Sequence, residues 1–580
     1  MKLIDALTII QKSAKSTGKP FKVALVCGFT PLHLQTFLHA ELQQLFTDYS
    51  VEVVTGLYGD LRGTLEGLQS ENFDAVAIVL EWSDFDARLG IRQLGGWASG
   101  NLESILERTI LFLGHLRQLV ENVSHILPVV LGLPTLPFPP VFFTAGWQAS
   151  EIGMRLKQEV ATFGALASQM SNVKVLNQDR LDQNSPSSAR FNAKSEWSSG
   201  FPYQLTHASV LARLLALLIR NPLPKKGLIT DLDNTLWNGI VGEVGVEGVH
   251  WDQDHHSAHH GFYQQMLKVL SGEGVLIGAA SKNEPSSVEE AFNREDLVIS
   301  RDDISVLAVS WGSKAQAVSQ ILAAWNVGAD SVVFVDDSAL ELAEVSLAHP
   351  EVECLQFPHG DQQGIFDLTL RLRDLFGKDT ISEEDRVRLK SIRGNTELRR
   401  LAAAESEGFS DALLEQAEAE LTLNTSKDPD DTRAFELINK TNQFNLNGRR
   451  VTQAAWRSYL QNPDTFLLTA SYKDRFGALG KIAVITGRLG DSRISVDTWV
   501  MSCRAFARRI EHQCLKALFQ KFNRDEIVFD YVSTSRNMPF AKFFAELLNE
   551  EPASPVTISR SWFDSKCPKL FHRVTERNDE

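Results

Sequence analysis

Through the first 220 residues, short β-branched apolar runs alternate with stretches whose apolar positions recur every three or four residues. FKVALVCGF (21–29) and FDAVAIVLEW (73–82) read as strands buried on both faces. LESILERTILFLGHLRQLVENV (102–123) and ASVLARLLALLIR (208–220) read as helices. Strands alternating with helices predict a parallel sheet covered on both sides. The uncharged stretch at 126–147, ILPVVLGLPTLPFPPVFFTAGW, has the length of a membrane span, but its five prolines would break a helix repeatedly. It reads as a buried strand followed by a rigid, site-lining loop. A breaker-rich link, NPLPKKG (221–227), precedes a second α/β unit with strands LITDL (228–232), VLIGAAS (275–281) and VVFVDDS (332–338).

From about 381 to 425 the chain turns charged and alanine-rich, the pattern of a solvated helical linker. A third unit follows. It has a predicted helix at 432–441, strands at 465–472, 481–487 and 493–502, a basic helix at 504–522 and a strand at 525–533. The predicted class is multidomain α/β: units at 1–222 and 223–380, a linker at 381–429, and a last α+β unit at 430–580.

Composition narrows this little. A chain of 580 residues exceeds one hydrophobic core, and 43% hydrophobic with 23% charged residues is ordinary for a globular protein. The net charge of -15 argues against general nucleic-acid or membrane-surface binding. Five scattered cysteines without C-x-x-C spacing suggest reduced thiols in a cytoplasmic protein. The first residues, MKLIDALTIIQKSAKSTGK, mix charge with apolar positions and read as an amphipathic helix, not a signal peptide.

Charge matters most at the strand ends. In GLITDLDNTLWNGIVGE (227–243) an apolar run ends on Asp231 and Asp233, and a second run ends on Asp336 and Asp337. Residues at the carboxyl ends of parallel strands face the crevice where open α/β folds bind ligands. Like charges there repel unless a cation lies between them. Four acids make a hard, oxygen-rich site suited to Mg2+. Ser281, ending AAS, offers a hydroxyl to an anion, and Lys314, in WGSK, offers a point charge to a phosphate.

The ordered set DLDNTLW, SKNE, Lys314 and VDDS resembles the haloacid-dehalogenase-like phosphotransferase superfamily. That resemblance implies Asp231 as the nucleophile, Asp233 as general acid and base, and a Mg2+ site of Asp231, Asp233, Asp336 and Asp337. It implies phosphate binding by Thr235, Ser281, Lys282, Asn283 and Lys314. About fifty residues separate Asp231 from Ser281 and about thirty separate Ser281 from Lys314. Neither gap holds a full cap domain, so an open site is expected. The histidine-rich HWDQDHHSAHHGF (250–262) in the first gap reads as a solvated approach to a helix, with a ligand or pH-sensing role as the alternative.

Longer stretches extend the likeness. DLDNTLWNGIVGE, SWGSKAQAVSQILAAWNVGADSVVFVDDSALELAEV, INKTNQFNLNGRR (438–450), DRFGALG (474–480) and SCRAFARRIE (502–511) resemble the FkbH-like family. The resemblance implies a phosphatase joined to a C-terminal acyltransferase-like domain of GNAT type. It also implies D-1,3-bisphosphoglycerate as the phosphorylated acyl donor. The glyceryl group would pass to the phosphopantetheine arm of an acyl carrier protein in polyketide-type biosynthesis; the alternatives are a sugar or glycan precursor as acceptor, or a C-terminal half that is a binding module for a phosphorylated partner. Arg504, Arg508 and Asn537 would then contact the acyl or pantetheine group. Cys503, at a strand-to-helix turn among arginines, is a candidate catalytic thiolate, with Cys27 the next candidate and simple burial the alternative. Two departures stand out: Ser338 and Ala339 follow the second carboxylate pair where the family shows Asn and Pro, and Ala507 and Arg509 replace expected glycines. The N-terminal unit resembles SGNH-type hydrolases, with Thr30 in the nucleophile's place and His207 near the distal histidine's. A degenerate, substrate-docking relative is expected.

Overall fold

Alternate residues of each buried strand face opposite sides, and each side has its own helices. A computed structural model describes all residues except 14–17, 69–71, 93–100, 141–147, 149–150, 221–222, 379, 382–384, 386–410, 430, 442, 476, 503–504, 506–507, 535–536 and 578–580. The chain divides into two units, Met1–Pro222 with Thr452–Ala455, and Leu223–Val451 with Trp456–Glu580.

The first unit holds β1 (Lys19–Val26), β2 (Tyr49–Thr55), β3 (Ala75–Val79), β4 (Val129–Gly132) and β5 (Val173–Val175). They form a parallel sheet in the order β2-β1-β3-β4-β5. On β1, Val23 and Leu25 join Phe37, Leu211 and Leu215 on one face, while Ala24 and Val26 join Ile105, Leu113 and Leu116 on the other. The predicted helices stand at Leu102–Ser124 and Leu205–Ile219. The first strand stops at Val26, three residues short of its predicted end, so Cys27 and Phe29 belong to the turn beyond it.

In the second unit, β6 (Gly227–Thr230), β7 (Leu276–Ser281), β8 (Ile304–Val309), β9 (Val332–Asp336) and β10 (Glu353–Gln356) form a second parallel sheet, ordered β10-β9-β6-β7-β8. The strand leading into Asp231 is therefore central, and the strand order reverses between β6 and β9, the place where such sheets open a crevice. The helix Lys314–Trp325 lies close on this sheet because two glycines leave room for its last residue. A Cβ on Gly227 would stand 2.4 Å from the Trp325 ring, and one on Gly278 2.9 Å. Between β6 and β7 lie a short helix, Val241–Val244, and the helix Ala258–Gly272. Between β7 and Lys314 lie the helix Pro285–Phe292 and β8. No cap domain is inserted in either interval.

A third, mixed sheet holds β11 (Glu420–Asn424), β12 (Phe444–Asn445), β13 (Thr465–Asp474), β14 (Gly477–Leu489), β15 (Arg493–Met501), β16 (Glu526–Phe529), β17 (Val556–Ser559) and β18 (Arg573–Arg577). Its order is β17-β16-β15-β14-β13-β11-β18, with β12 paired to β15. β11 falls within the stretch read from sequence as linker; its alternate buried leucines, Leu421 and Leu423, pack into the sheet core. Elsewhere in the predicted linker a short helix stands at Asp411–Gln416, and 382–384 and 386–410 lie outside the described residues. The predicted basic helix begins six residues late, at Ile510, because Arg509 adopts a left-handed conformation (φ 59°) and Arg508 turns inward.

Candidate active site

Three adjacent parallel strands, β7, β6 and β9, end in one crevice, and each delivers part of a charged cluster. Asp231 follows β6 directly; it is 6% exposed, Asp336 is 0% exposed, and Lys314, on the following helix, is 2% exposed. The Lys314 ammonium donates to Asp231 Oδ1, to Asp336 Oδ2 at 3.1 Å and to the Ala280 carbonyl at 2.9 Å. It also pairs with Glu341 Oε2 at 3.2 Å, while the other Glu341 oxygen pairs with Lys282 Nζ at 2.9 Å. Sequence reading did not single out Glu341. Its signal there is an ordinary acid in a helix's first turn.

Burial pushes the Asp231 and Asp336 carboxyls above the usual carboxylate range, partly offset by Lys314. For Lys314, burial acts against the charged form, but Asp231, Asp336 and Glu341 outweigh it and hold the ammonium protonated. The cluster is thus short of positive charge: Lys314 and Lys282 face three carboxylates. Asp231, Asp336 and Glu341 each present one oxygen, all within 4.8 Å of one another, the hard donor set that Mg2+ requires.

Asp233 is placed differently from the metal ligand expected of it. Its Oδ1 accepts from Trp237 Nε1 at 2.9 Å and Val241 N at 3.1 Å, and its Oδ2 accepts from Asn283 Nδ2 at 2.8 Å. Asp337 likewise stands outside the oxygen set; burial raises its carboxyl, and His359 opposes the shift. Asn283 also donates to Ser281 Oγ at 3.0 Å, so Asp233, Ser281 and Asn283 form one hydrogen-bonded row. The loop that carries Asp233 is closed by Asn234, in a left-handed conformation, and by Gly239 (φ 106°), whose N–H donates to Asn234 Oδ1 at 3.1 Å. Thr235 is buried with its hydroxyl unpartnered, and its carbonyl accepts from His260 Nδ1 at 2.9 Å. Burial lowers the His260 pKa to about 4, so the ring is neutral and fixes the loop as a donor.

Of the other predicted residues, the described ones, Arg508 and Asn537, do not join this cluster. Cys503 and Arg504 lie outside the described residues. Arg508 is buried, 3.5 Å from Asp474 and over the Tyr472 ring. Asn537 is buried, with its amide donating to the Asn445 and Val532 carbonyls. The segment it holds wedges between diverging strands: Asn445 pairs with Val500 on β15, while the Leu446 carbonyl accepts from Val532 beyond β16. Arg508 and Asn537 are therefore committed to internal bonds.

In the first unit, His207 is buried between Thr135 Oγ1 at 3.2 Å and Ser185 Oγ at 2.9 Å. Thr135 in turn donates to Glu81 at 2.7 Å, as does Tyr203 at 2.8 Å. Thr30 uses its N–H on the Gly200 carbonyl. Cys27 is buried, and burial with nearby Asp84 pushes its thiol pKa up, against thiolate formation.

Among solved structures, the chain is similar to the N-terminal part of the protein BF1531 from Bacteroides fragilis, which contains a phosphatase domain and was solved complexed with Mg. The TM-score is 0.53 at 20% identity, over 64% of this chain and 99% of that one. This likeness shows a shared fold. UDP-GlcNAc 2-epimerase from Neisseria meningitidis, bound to UDP-GlcNAc, aligns at TM-score 0.13 and 10% identity over 67% of this chain and 100% of that one. The GCN5-related glucosamine N-acetyltransferase region of a fungal GH3 beta-N-acetylglucosaminidase aligns at 0.14 and 11% over 92% and 64%. Neither score carries an argument. No protein-family profile and no curated protein sequence matches the chain.

Proposed function

We propose that the second unit carries a Mg2+-dependent phosphatase of the haloacid-dehalogenase type, with Asp231 as nucleophile. The observation that carries this reading is the buried Lys314–Asp231–Asp336 cluster at the crevice of the second sheet. The fold shared with a phosphatase-domain protein supports it. Asp231, Asp336 and Glu341 would hold Mg2+, which when bound neutralises carboxylate and phosphoryl charge. Asp231 attacks the phosphorus and the ester oxygen leaves, forming an aspartyl-phosphate. Asp233, two residues on, protonates the leaving oxygen and later takes a proton from the attacking water. Ser281, Lys282, Asn283 and Thr235 line the place of the phosphoryl oxygens, and Lys314 supplies their fixed positive charge.

The finer reading takes D-1,3-bisphosphoglycerate as donor, hydrolyses its 3-phosphate ester and passes the glyceryl group to the carrier thiol of an acyl carrier protein in the cytoplasm, the C1–O bond breaking as the 1-phosphate leaves. Only the family-like motifs support it. The inward commitment of Arg508 and Asn537 favours a second reading, in which the third sheet is a binding module that presents a phosphorylated partner. Incubating the chain with 1,3-bisphosphoglycerate, Mg2+ and carrier protein, then weighing both proteins, separates the two. Glyceryl mass on either protein supports transfer; phosphate release without it supports the module.

A further inference from the structure

The histidine-rich segment between β6 and β7 folds into a donor set of its own. His250, in an isolated bridge with Asn238, and Asp252, in the bend that follows, flank Trp251. Trp251 is buried beneath the Arg294 guanidinium, 4.2 Å from its ring centre, and donates Nε1–H to the Asp296 carbonyl at 3.0 Å. That anchor fixes the two flanking residues. The chain then turns back: the Asp252 carbonyl accepts from Ser257 N at 2.9 Å, and His256 takes a left-handed conformation (φ 55°). The turn lays the His255 ring on the His250 ring, with centroids 3.5 Å apart and planes at 4°. His255 Nδ1 stands 2.9 Å from both Asp252 oxygens.

We propose that His250, Asp252 and His255 form a second metal site, for a nitrogen-preferring divalent cation such as Zn2+, distinct from the all-oxygen site at Asp231. Each of the three offers one ligand atom, all within 4.8 Å of one another. Ligands on one such ion, bonded at roughly 2.0–2.2 Å, stand no more than about 4 Å apart, and an imidazole takes the ion in its own ring plane, so the stacked His250 and His255 rings must swing out of their stack to close the set. Two imidazoles and one carboxylate suit Zn2+, Co2+ or Ni2+ and not Mg2+, which keeps to oxygen. Solvent supplies the remaining positions, because the cluster opens to the surface: His255 and Asp252 side chains are 50% and 42% exposed. The site touches the Asp231 loop through backbone alone. His250 and Asn238 exchange hydrogen bonds, 2.9 Å one way and 3.1 Å the other, and Asn238 follows Trp237, a donor to Asp233. A metal here would staple that loop's far end without entering the crevice.

The test is a Co2+ titration of the full chain, freed of any histidine tag and kept in millimolar Mg2+, read by visible absorption and checked by Zn2+ displacement. The expected result is one Co2+ per chain with a nitrogen-ligand spectrum. His250→Ala and His255→Ala should each weaken binding at least tenfold, and His256→Gly, which keeps the left-handed turn, should leave it unchanged. Circular dichroism of each variant separates lost binding from lost folding. Should a variant unfold, His255→Gln serves in its place. Absence of Co2+ binding overturns the proposal, as does binding that survives in folded His250 and His255 variants.

Discussion

Lys314 and Asp231, 83 residues apart in sequence, meet as a buried ion pair in which the lysine also bonds Asp336. That one ammonium ties together the ends of β6 and β9 and stands where a phosphoryl group would need positive charge. Replacing it by methionine keeps the side chain's length and removes the charge. Lys314→Met is expected to lower phosphatase turnover by about 10²–10³-fold. Steady-state kinetics on an aryl phosphate, with circular dichroism to confirm folding, checks this.

Glu341 holds both Lys282 and Lys314, one on each oxygen. It is a positioning residue for the two lysines as well as a candidate metal ligand. Glu341→Gln should raise the Mg2+ concentration needed for half-maximal activity and lower kcat about tenfold. If the Mg2+ requirement stays fixed while kcat falls, Glu341 acts through the lysines alone.

The first unit draws two acids away from water, Glu81 buried and Asp84 partly buried. Burial raises Glu81 to about 7, against donors on Thr135, Tyr203 and Leu136, and raises Asp84 to about 7. Both therefore stay protonated in the folded chain at pH values where the unfolded chain has released its protons. Their contribution to stability is complete below about pH 4 and is lost as pH rises through 7. Melting of the full chain should shift down between pH 5 and pH 7, and Glu81→Gln should flatten that shift. Unchanged pH dependence in Glu81→Gln would show that Glu81 is not the titrating group.

Gly227 opens the central strand against Trp325. Gly227→Ala forces the ring or the helix Lys314–Trp325 to move, at a cost of about 1–3 kcal/mol. Urea denaturation measures that loss, and turnover should fall with it because Lys314 begins the same helix.

These elements were not equally legible in the sequence. Asp231, Lys314 and Asp336 end or follow apolar runs, so strand ends and the crevice chemistry were visible together. β8 and β10 were missed because four of the six β8 residues and two of the four β10 residues are only partly buried and the apolar signal is diluted. Glu341 and the His250–Asp252–His255 set depend on turns that sequence spacing does not reveal. The arginines at 508 and 509 read as part of a basic helix beginning at 504. Their partners, Asp474 and Asp411, are far away in sequence, so nothing local showed that the chain turns there instead. The Glu81–Thr135–His207 network joins three distant segments and was equally hidden.

The central claim is that Asp231 accepts the phosphoryl group. Acid-quenching the full chain during turnover of an aryl phosphate with Mg2+, then mapping phosphopeptides by mass, tests it directly. The account predicts one phosphoryl group on the peptide containing Asp231, absent with EDTA and absent in a folded Asp231→Asn variant that releases no phosphate. Retained turnover in Asp231→Asn, or a phosphoryl group on another residue, would contradict it.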